Sequence, residues 1–566
     1  MTTQANRNVS ITSALADDVL LFRSMSGSEA LGRLPECRVQ LLSTDNTLRI
    51  ADVLGKPMTV NLDTVEAGQR HFNGVVTRFC STGWHGDFAT YEATLHPWLW
   101  LLTRASDCRI FQAKTVVDII KQVCQPYESV SLSFNLLSGQ YDPLPYCVQY
   151  RETDFDFVCR LMEDAGIYFY FTHTADSHTL VLADSYSAHQ DIPGYGALEF
   201  VGALHTNALG KESVSSWLAS GEIQSGSYTL QDFDFEKARS GPLLVKSAVV
   251  APFDQKLYGR FDYPGKYSTS AVGTQAAKVR MEVLLGQGEV ITAQTNATGL
   301  YAGGLFTLAE HPRDDQNRTC LITSMVYQVN GGEYVSGTGT PVTQIECEFK
   351  AIGKEHAYRP QPLIAKPVVQ GLQTAIVVGK AGEEIWTDQY GRIKVQFHWD
   401  RQGKQDESSS CWVRVSQSWA GKGWGSMFIP RVGMEVVVSF LEGDPDRPLV
   451  TGCVYNSDSM PPYPLPAEQT KSTLKSHSSK GASGFNELRF EDKSGEEQVF
   501  VHAQKDFSRV VLNDDSLDVS GNQTVAIKGA QTIAVKGDQS ITVDKTIVIE
   551  ATTSIELKVG GSSIKI

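Results

Sequence analysis

Two histidines, His173 and His178, stand five residues apart beside Asp176 and could supply half of a metal site. A complete site needs about four converging ligands, and the polar stretch around them reads as a hydrophilic hairpin turn. Glu383 and Glu384 could suggest paired carboxylates. Adjacent residues on a strand point to opposite faces, so they cannot flank one glycosidic bond. Gly421-Lys-Gly-Trp-Gly425 is glycine-rich, but no phosphate-loop lysine closes it, and it reads as a surface turn. Asp514, Asp515 and Asp518 could hold a cation but read as a solvated turn, and His398 falls on the polar side of its strand. No G-x-S-x-G, H-E-x-x-H, P-loop or G-x-G-x-x-G is present. The expectation is a non-enzymatic protein with no catalytic, cofactor or metal residues.

If the residues do no chemistry, their arrangement must do something else, and the C-terminal stretch carries it. From Val519 the unit V-x-G returns every eight residues: Val519-Ser-Gly521, Ile527-Lys-Gly529, Val535-Lys-Gly537, then Val543-Asp-Lys545, Ala551-Thr-Thr553 and Val559-Gly-Gly561. A second apolar residue falls in phase at Val525, Ile533, Ile541, Ile549 and Leu557. Nearly all apolar residues stand at odd positions, the period-2 signature of a strand with one wet face. A strand ordinarily ends by about ten residues, so this chain must turn at regular corners, which the glycines are expected to supply. One unit is a single side of a closed cross-section. Three chains wound together complete each tier, so residues 519–566 read as an intertwined trimeric β-helix. Val525, Ile527, Ile533, Val535, Ile541, Val543, Ile549, Leu557 and Val559 would form its core.

Chain-wide properties narrow the class. A length of 566 residues suggests three or four domains, and a net charge of −14 argues against nucleic acid or an anionic membrane as the main partner. The N-terminus has no basic region followed by a long apolar core, so neither a signal peptide nor an anchor is expected. The ten cysteines are scattered without C-x-x-C and read as reduced thiols.

Proline clusters divide the chain. Residues 1–365 read as an α+β region dominated by β-barrels, ending near Tyr358-Arg-Pro-Gln-Pro362. Helices are expected at 115–124, capped by Thr115 and Asp118, at 154–165, capped by Thr153 and Asp156 and ended by Gly166, and at 271–285. Residues 370–456 read as a small closed barrel of the OB type, in which Ile393, Val395, Phe397 and Trp399 alternate with polar residues. Residues 457–518 read as linker and needle neck, with an exposed mobile loop from Ser472 to Gly484. The fold class is mainly β.

The stretch from Gly382 to Arg401, GEEIWTDQYGRIKVQFHWDR, resembles the signature of the VgrG (valine-glycine repeat) spike proteins of bacterial type VI secretion systems. SSCWVRV at 409–415, PRVGMEV at 430–436, LEGDPDRP at 441–448, VYN at 454–456 and HAQKD at 502–506 are similar to the same family, as are FNGVVT at 72–77, PWLWLLT at 97–103, DCRIFQ at 107–112 and QYRETDFDF at 149–157. The resemblance spans nearly the whole chain. It implies a hub of paired β-barrels like that of contractile phage tails, three copies of which form a pseudo-sixfold ring on a hexameric, Hcp-like tube, then the OB-fold and the needle. About sixty residues separate Tyr455 from Val519, too few for the lysozyme domain of the phage relatives. A chain ending at Ile566 would carry no fused toxin.

The resemblance also implies partners: itself as a homotrimer, baseplate proteins, effectors, and a PAAR-repeat tip protein, with only transient contact to a target membrane. The protein would be cytoplasmic when assembled and then secreted without a signal peptide. At Gly560-Gly561 the register changes, leaving Ile564 and Ile566 at even positions, and the last tier would keep unpaired edges. Ser562, Ser563, Ile564, Lys565 and Ile566 are therefore expected to dock the PAAR protein. A spike of a contractile phage or phage-derived particle is the alternative reading; an envelope hydrolase or a trimeric adhesin fits less well.

Overall fold

A computed structural model describes residues 2–65, 68–127, 131–202, 211–240, 243–249, 257–332, 334 and 343–565. Strands dominate, and the chain divides into two compact units, residues 1–469 with 478–482, and residues 470–477 with 483–566.

In the first unit, period-2 patterning builds a large sheet. Along Glu36–Ser43, Val39 and Leu41 are fully buried while Arg38 is exposed. Twelve strands join this sheet, and its two halves meet where Leu21–Ala30 pairs antiparallel with Thr319–Asn330. At that seam Gly27 lies opposite Tyr327, and a Cβ on Gly27 would stand 2.4 Å from the Tyr327 ring. Only glycine lets the ring lie across the strand. The tyrosine hydroxyl meets Cys37 Sγ at 3.1 Å, and Phe22, Val60, Phe306 and Phe349 fill the core around it.

A helical layer follows, set by local caps. Val116–Cys124 begins at a reciprocal Thr115–Asp118 capping box and buries Ile119, Ile120 and Val123. Asp154–Ala165 begins where the Thr153 hydroxyl accepts from the Asp156 N–H, and ends at Gly166 with φ 74°. The third helix, Ser270–Gly288, starts at Thr269. All three were expected, because caps and periodicity are local properties.

The expected hairpin is present, with its polar turn at Thr174–Ser177, but the two histidines face one another across the strands Tyr168–His173 and His178–Ala183 that flank it, and His178 is buried. Its Nδ1–H donates to Asn73 Oδ1 at 2.7 Å, and its Nε2 accepts the Trp98 N–H at 2.8 Å. His173 Nδ1 accepts from the Asn73 N–H at 3.2 Å. Sequence spacing could not reveal this, because Asn73, on a strand, and Trp98, at the start of a short helical turn, lie far away in the chain. The pair is a neutral structural junction with no lone pair on His178 left for a metal. His189 is held likewise between Gly303 O at 2.8 Å and the Tyr168 hydroxyl at 2.7 Å.

Five strands form the OB-type barrel, in the order Lys394–Phe397, Gln373–Val378, Glu435–Phe440, Pro448–Val454, Arg414–Val415. Reciprocal bonds between Ile393 and Val413, at 2.9 and 2.8 Å, close the ring. Ile393, Val395, Phe397 and Val413 point inward, and His398 is exposed as expected. Residues 382–388 are not a strand, so Glu383 and Glu384 are not splayed to opposite faces; Glu383 pairs with Lys480 Nζ at 3.4 Å, and Glu384 with Arg431 at 2.7 Å.

The barrel is fastened to the hub by buried charge. Lys366 sits between Asp444 and Asp446 at 2.5 Å each, and Asp446 also accepts the Val148 N–H at 2.6 Å. Burial disfavours the Lys366 charge, but the two carboxylates outweigh it and hold the ammonium above its usual range. Arg447 reaches Asp232 at 3.0 Å. The proline-rich segment is strapped down as well, with Arg359 donating to Gly166 O and Asp184 O and pairing with Glu282 at 2.7 Å.

Burial holds His178 and His189 near a pKa of about 4, below the ordinary 6.5. The unfolded chain therefore binds protons first as pH falls, and stability present above pH 6.5 is lost toward pH 4. Going from pH 7 to 5 should remove about 2 kcal/mol per histidine. Thermal melting should show a falling Tm over this range, and H178Q should flatten that slope; an unchanged slope in the variant would refute the assignment.

Candidate functional site

The second unit begins with a three-stranded antiparallel sheet, Lys471–Lys475, Glu487–Glu491 and Gln498–His502. Lys471–Lys475 lies where a mobile loop was expected from Ser472 onward. Its pairing with Glu487–Glu491 is long-range, so serine and lysine content misread it. In register, Leu474 meets Leu488, Leu488 meets Val501, and Phe490 meets Val499. All five side chains are exposed in one chain. This apolar face was missed, although the alternation Leu488, Phe490 and Val499, Val501 signals it.

Beyond the sheet the chain runs extended. Bends fall at 504–505, 512–513, 520–521, 528–529, 536–537, 544–545 and 552–553, a strict interval of eight residues. The regular path thus starts ahead of Val519, with Lys505 and Asn513 at its first two corners. Glycine does not make the corners. Gly521, Gly529 and Gly537 are absent from the positive-φ residues, a Cβ there would meet nothing within one chain, and Asp544-Lys545 and Thr552-Thr553 turn equally well. The bend uses backbone angles open to any residue. Asp515 of the expected acidic turn pairs with Arg509, and Asn513 Nδ2 donates to Asp514 at 3.1 Å.

No backbone–backbone hydrogen bond is formed by residues 505–555, and no strand or helix is assigned there. The apolar row is uncovered in one chain, from 48 % exposed at Val543 to 81 % at Val559, with Val525, Ile527, Ile533, Val535, Ile541, Ile549 and Leu557 between. Extended backbone with unsatisfied N–H and C=O groups, carrying Val and Ile at every turn, is half of an interface.

At Gly560-Gly561 the chain does something else. It reverses, Gly560 having φ 52°, and Ser562–Lys565 pairs antiparallel with Glu556–Val559. This two-residue loop with a left-handed glycine is the favoured hairpin connection. Val559 faces Ser562, Lys558 faces Ser563, Leu557 faces Ile564 and Glu556 faces Lys565. The expected register change is therefore resolved. Reversal flips the parity, so Ile564 at an even position shares a sheet face with Leu557 and is in phase with the apolar row. Within one chain this pairing satisfies one edge of each strand and leaves the other open. Ile566 lies outside the described residues.

Comparison with known proteins identifies what covers the row. Residues 28–333 match the phage tail baseplate hub (GPD) family, 375–455 the type VI secretion system/phage-baseplate injector OB domain, and 472–565 the bacteriophage T4 gp5 C-terminal trimerisation domain. The extended segment lies within a trimerisation domain, so its missing partners are two further copies of the same chain. The type VI secretion system spike protein VgrG1a of Pseudomonas aeruginosa is 46 % identical over 525 residues, covering 91 % of this chain and 80 % of that protein. The actin cross-linking toxin VgrG1 of Vibrio cholerae is 34 % identical over 90 % of this chain but only 47 % of its own length. A solved E. coli type VI secretion component, described as similar to T4 tail proteins gp27 and gp5, shares the fold with a TM-score of 0.56 at 20 % identity, covering 79 % of this chain and all of its own. A phage-type hub, an injector OB barrel and a trimerising repeat, in that order and at such identity to a curated spike, mean that the chain belongs to the VgrG family of type VI secretion system spike proteins.

Proposed function

We propose that three copies of this chain wind residues 505–559 into a stiff prism that punctures a target envelope and delivers effectors, without enzymatic chemistry of its own. The observation that carries this reading is the extended segment with corners every eight residues and no backbone partner in its own chain. Val525, Ile527, Ile533, Val535, Ile541, Val543, Ile549, Leu557 and Val559 line the axis, and Thr, Lys and Asp residues face water. A polar outside suits passage through a membrane and not residence in it. Among the described residues no helix is long and apolar enough to cross a membrane. The protein assembles in the cytoplasm and leaves with the tail it caps. The two halves of the hub sheet, repeated three times, offer six similar faces to a hexameric Hcp-like tube, while baseplate proteins hold the outside.

The tip docks a PAAR-repeat protein through Ser562, Ser563, Ile564, Lys565 and Ile566. The support for this is the terminal hairpin. Glu556–Val559 and Ser562–Lys565 pair only with each other among the described residues, so each retains an outer edge open to a further strand.

Light scattering should give a trimer at micromolar concentration, and a monomer would sink the proposal. Ile533→Asp or Ile541→Asp would set three carboxylates around one axis. At ~3–5 kcal/mol per unpaired buried charge, the tier should open and the melting temperature fall. Thr532→Asp should leave the trimer intact, and equal damage from both kinds of change would mean the inward register is wrong.

Deleting residues 560–566 should abolish capture of a PAAR-repeat protein from the same gene cluster in a pull-down while the trimer persists. Undiminished capture by that trimer would exclude the hairpin as the docking site.

A further inference from the structure

The charged joint between hub and OB barrel is arranged for more than an ion pair. Lys366, on the segment that leaves the hub, keeps its nitrogen between Asp444 Oδ1 and Asp446 Oδ2, at 2.5 Å each. The lysine side chain is 16 % exposed and the two carboxyls 7 % and 19 %, so all three lie largely out of water. Backbone groups fix their positions. The Val148 N–H donates to Asp446 Oδ1 at 2.6 Å, and the Asp446 N–H donates to Asp444 Oδ1 at 2.9 Å. The Val369 N–H donates to Gly443 O at 2.8 Å, which clamps the lysine segment to the loop that carries both aspartates. Gly443 has φ 68°, and a Cβ there would stand 2.5 Å from Val368 Cγ1, so this close approach needs glycine. Cys147 and Val148, on the hub side, are buried. Lys266 Nζ lies 3.9 Å from the other oxygen of Asp444.

An amine held against a carboxyl away from water, with a second carboxylate on the same nitrogen, has the parts needed to condense to an amide. The two acids are not equivalent. Burial raises Asp446 toward the neutral acid, the form with an electrophilic carbon. Burial opposes ionisation of Asp444 too, but Lys366 and the Asp446 N–H outweigh it and keep that carboxyl a base. The Val148 N–H sits on Asp446 Oδ1, where charge collects once the carbon is attacked. Lys366 is an ammonium at rest, so the reaction begins with proton transfer from Nζ to Asp446 Oδ2 inside the pair. The freed amine adds to Asp446 Cγ. Asp444 takes a second proton from the nitrogen and passes it to Oδ2, the Cγ–Oδ2 bond breaks, and water leaves. An ammonium and a carboxylate thus become a neutral amide and one water, with no oxidant or outside reactant. Two buried charges, costly to hold out of water, disappear in the process. The chain reacts once with itself and turns over no substrate.

We propose that Lys366 Nζ and Asp446 Cγ join in an intramolecular isopeptide bond, formed by the folded chain with Asp444 as proton relay. The bond encloses four of the five barrel strands in one covalent loop and fixes the barrel to the segment leaving the hub. The test is the mass of the full-length protein, measured denatured. Expected is a chain lighter than its sequence mass by one water, and a tryptic product that joins residues 355–380 to residues 432–471 through Lys366 and Asp446. K366R and D444A should each return to the full sequence mass, the first for want of the nucleophile and the second for want of the relay. A full mass in the unmodified protein would overturn the bond. So would a missing water that persists in K366R, since the dehydration would then lie within an aspartate and its own backbone. Loss of water that survives in D444A would overturn the relay. Peptide mapping of the unmodified chain locates the bond without any variant, so misfolding of K366R or D444A leaves the proposal decided.

Discussion

Backbone hydrogen bonding is the constraint on which this molecule turns. An extended peptide removed from water must pair its N–H and C=O groups, and residues 505–555 have no such partner in their own chain. A helix could have satisfied these groups locally, but the period-2 pattern of Val and Ile excludes it. A hairpin could have done so too, and beyond residue 505 the described chain forms one at Gly560-Gly561. Residues 505–555 are left for other copies. Oligomerisation is in this sense part of folding, and the stability of the segment is inseparable from the trimer.

The first unit solves a different problem, that of holding a small barrel on a large sheet. Apolar burial builds each body, and Ile110 and Tyr150 of the hub pack against the barrel core, but the junction also uses buried charge. Lys366 between Asp444 and Asp446, and Arg447 on Asp232, are costly to desolvate and gain from each other only in good geometry. Breaking one partner would strand the rest. Such a junction is specific in position, which a slippery apolar contact is not. The family motif LEGDPDRP is legible in these terms, since its two aspartates and its arginine are the joint.

Much of this was readable from the residues. The helix caps at Thr115 and Thr153, the left-handed stop at Gly166, the inward row of Ile393, Val395 and Phe397 and the eight-residue interval are local patterns, and the structure shows each of them. Errors arose where a distant partner decided the outcome. The hairpin around His173 and His178 was legible, but the bonds of His178 to Asn73 and Trp98 were not, because those residues come from elsewhere in the chain. Ser472 to Lys475 read as the start of a loop because its pairing with Glu487–Glu491 is invisible in its composition, whereas 476–484 does lie outside any strand. The glycines were expected to supply the corners, yet aspartate, lysine and threonine turn the same corner.

The sequence by itself determined the class of the protein, the order of its parts and the need for three chains, because hydrophobic period and long motifs are properties of neighbouring residues. Tertiary structure alone decided which carboxylates lock the barrel to the hub, that Trp419 and Trp424 stand exposed, and that Ile564 returns to the face of Leu557. These depend on a reversal of direction or a meeting of remote segments, and no spacing along the chain encodes either.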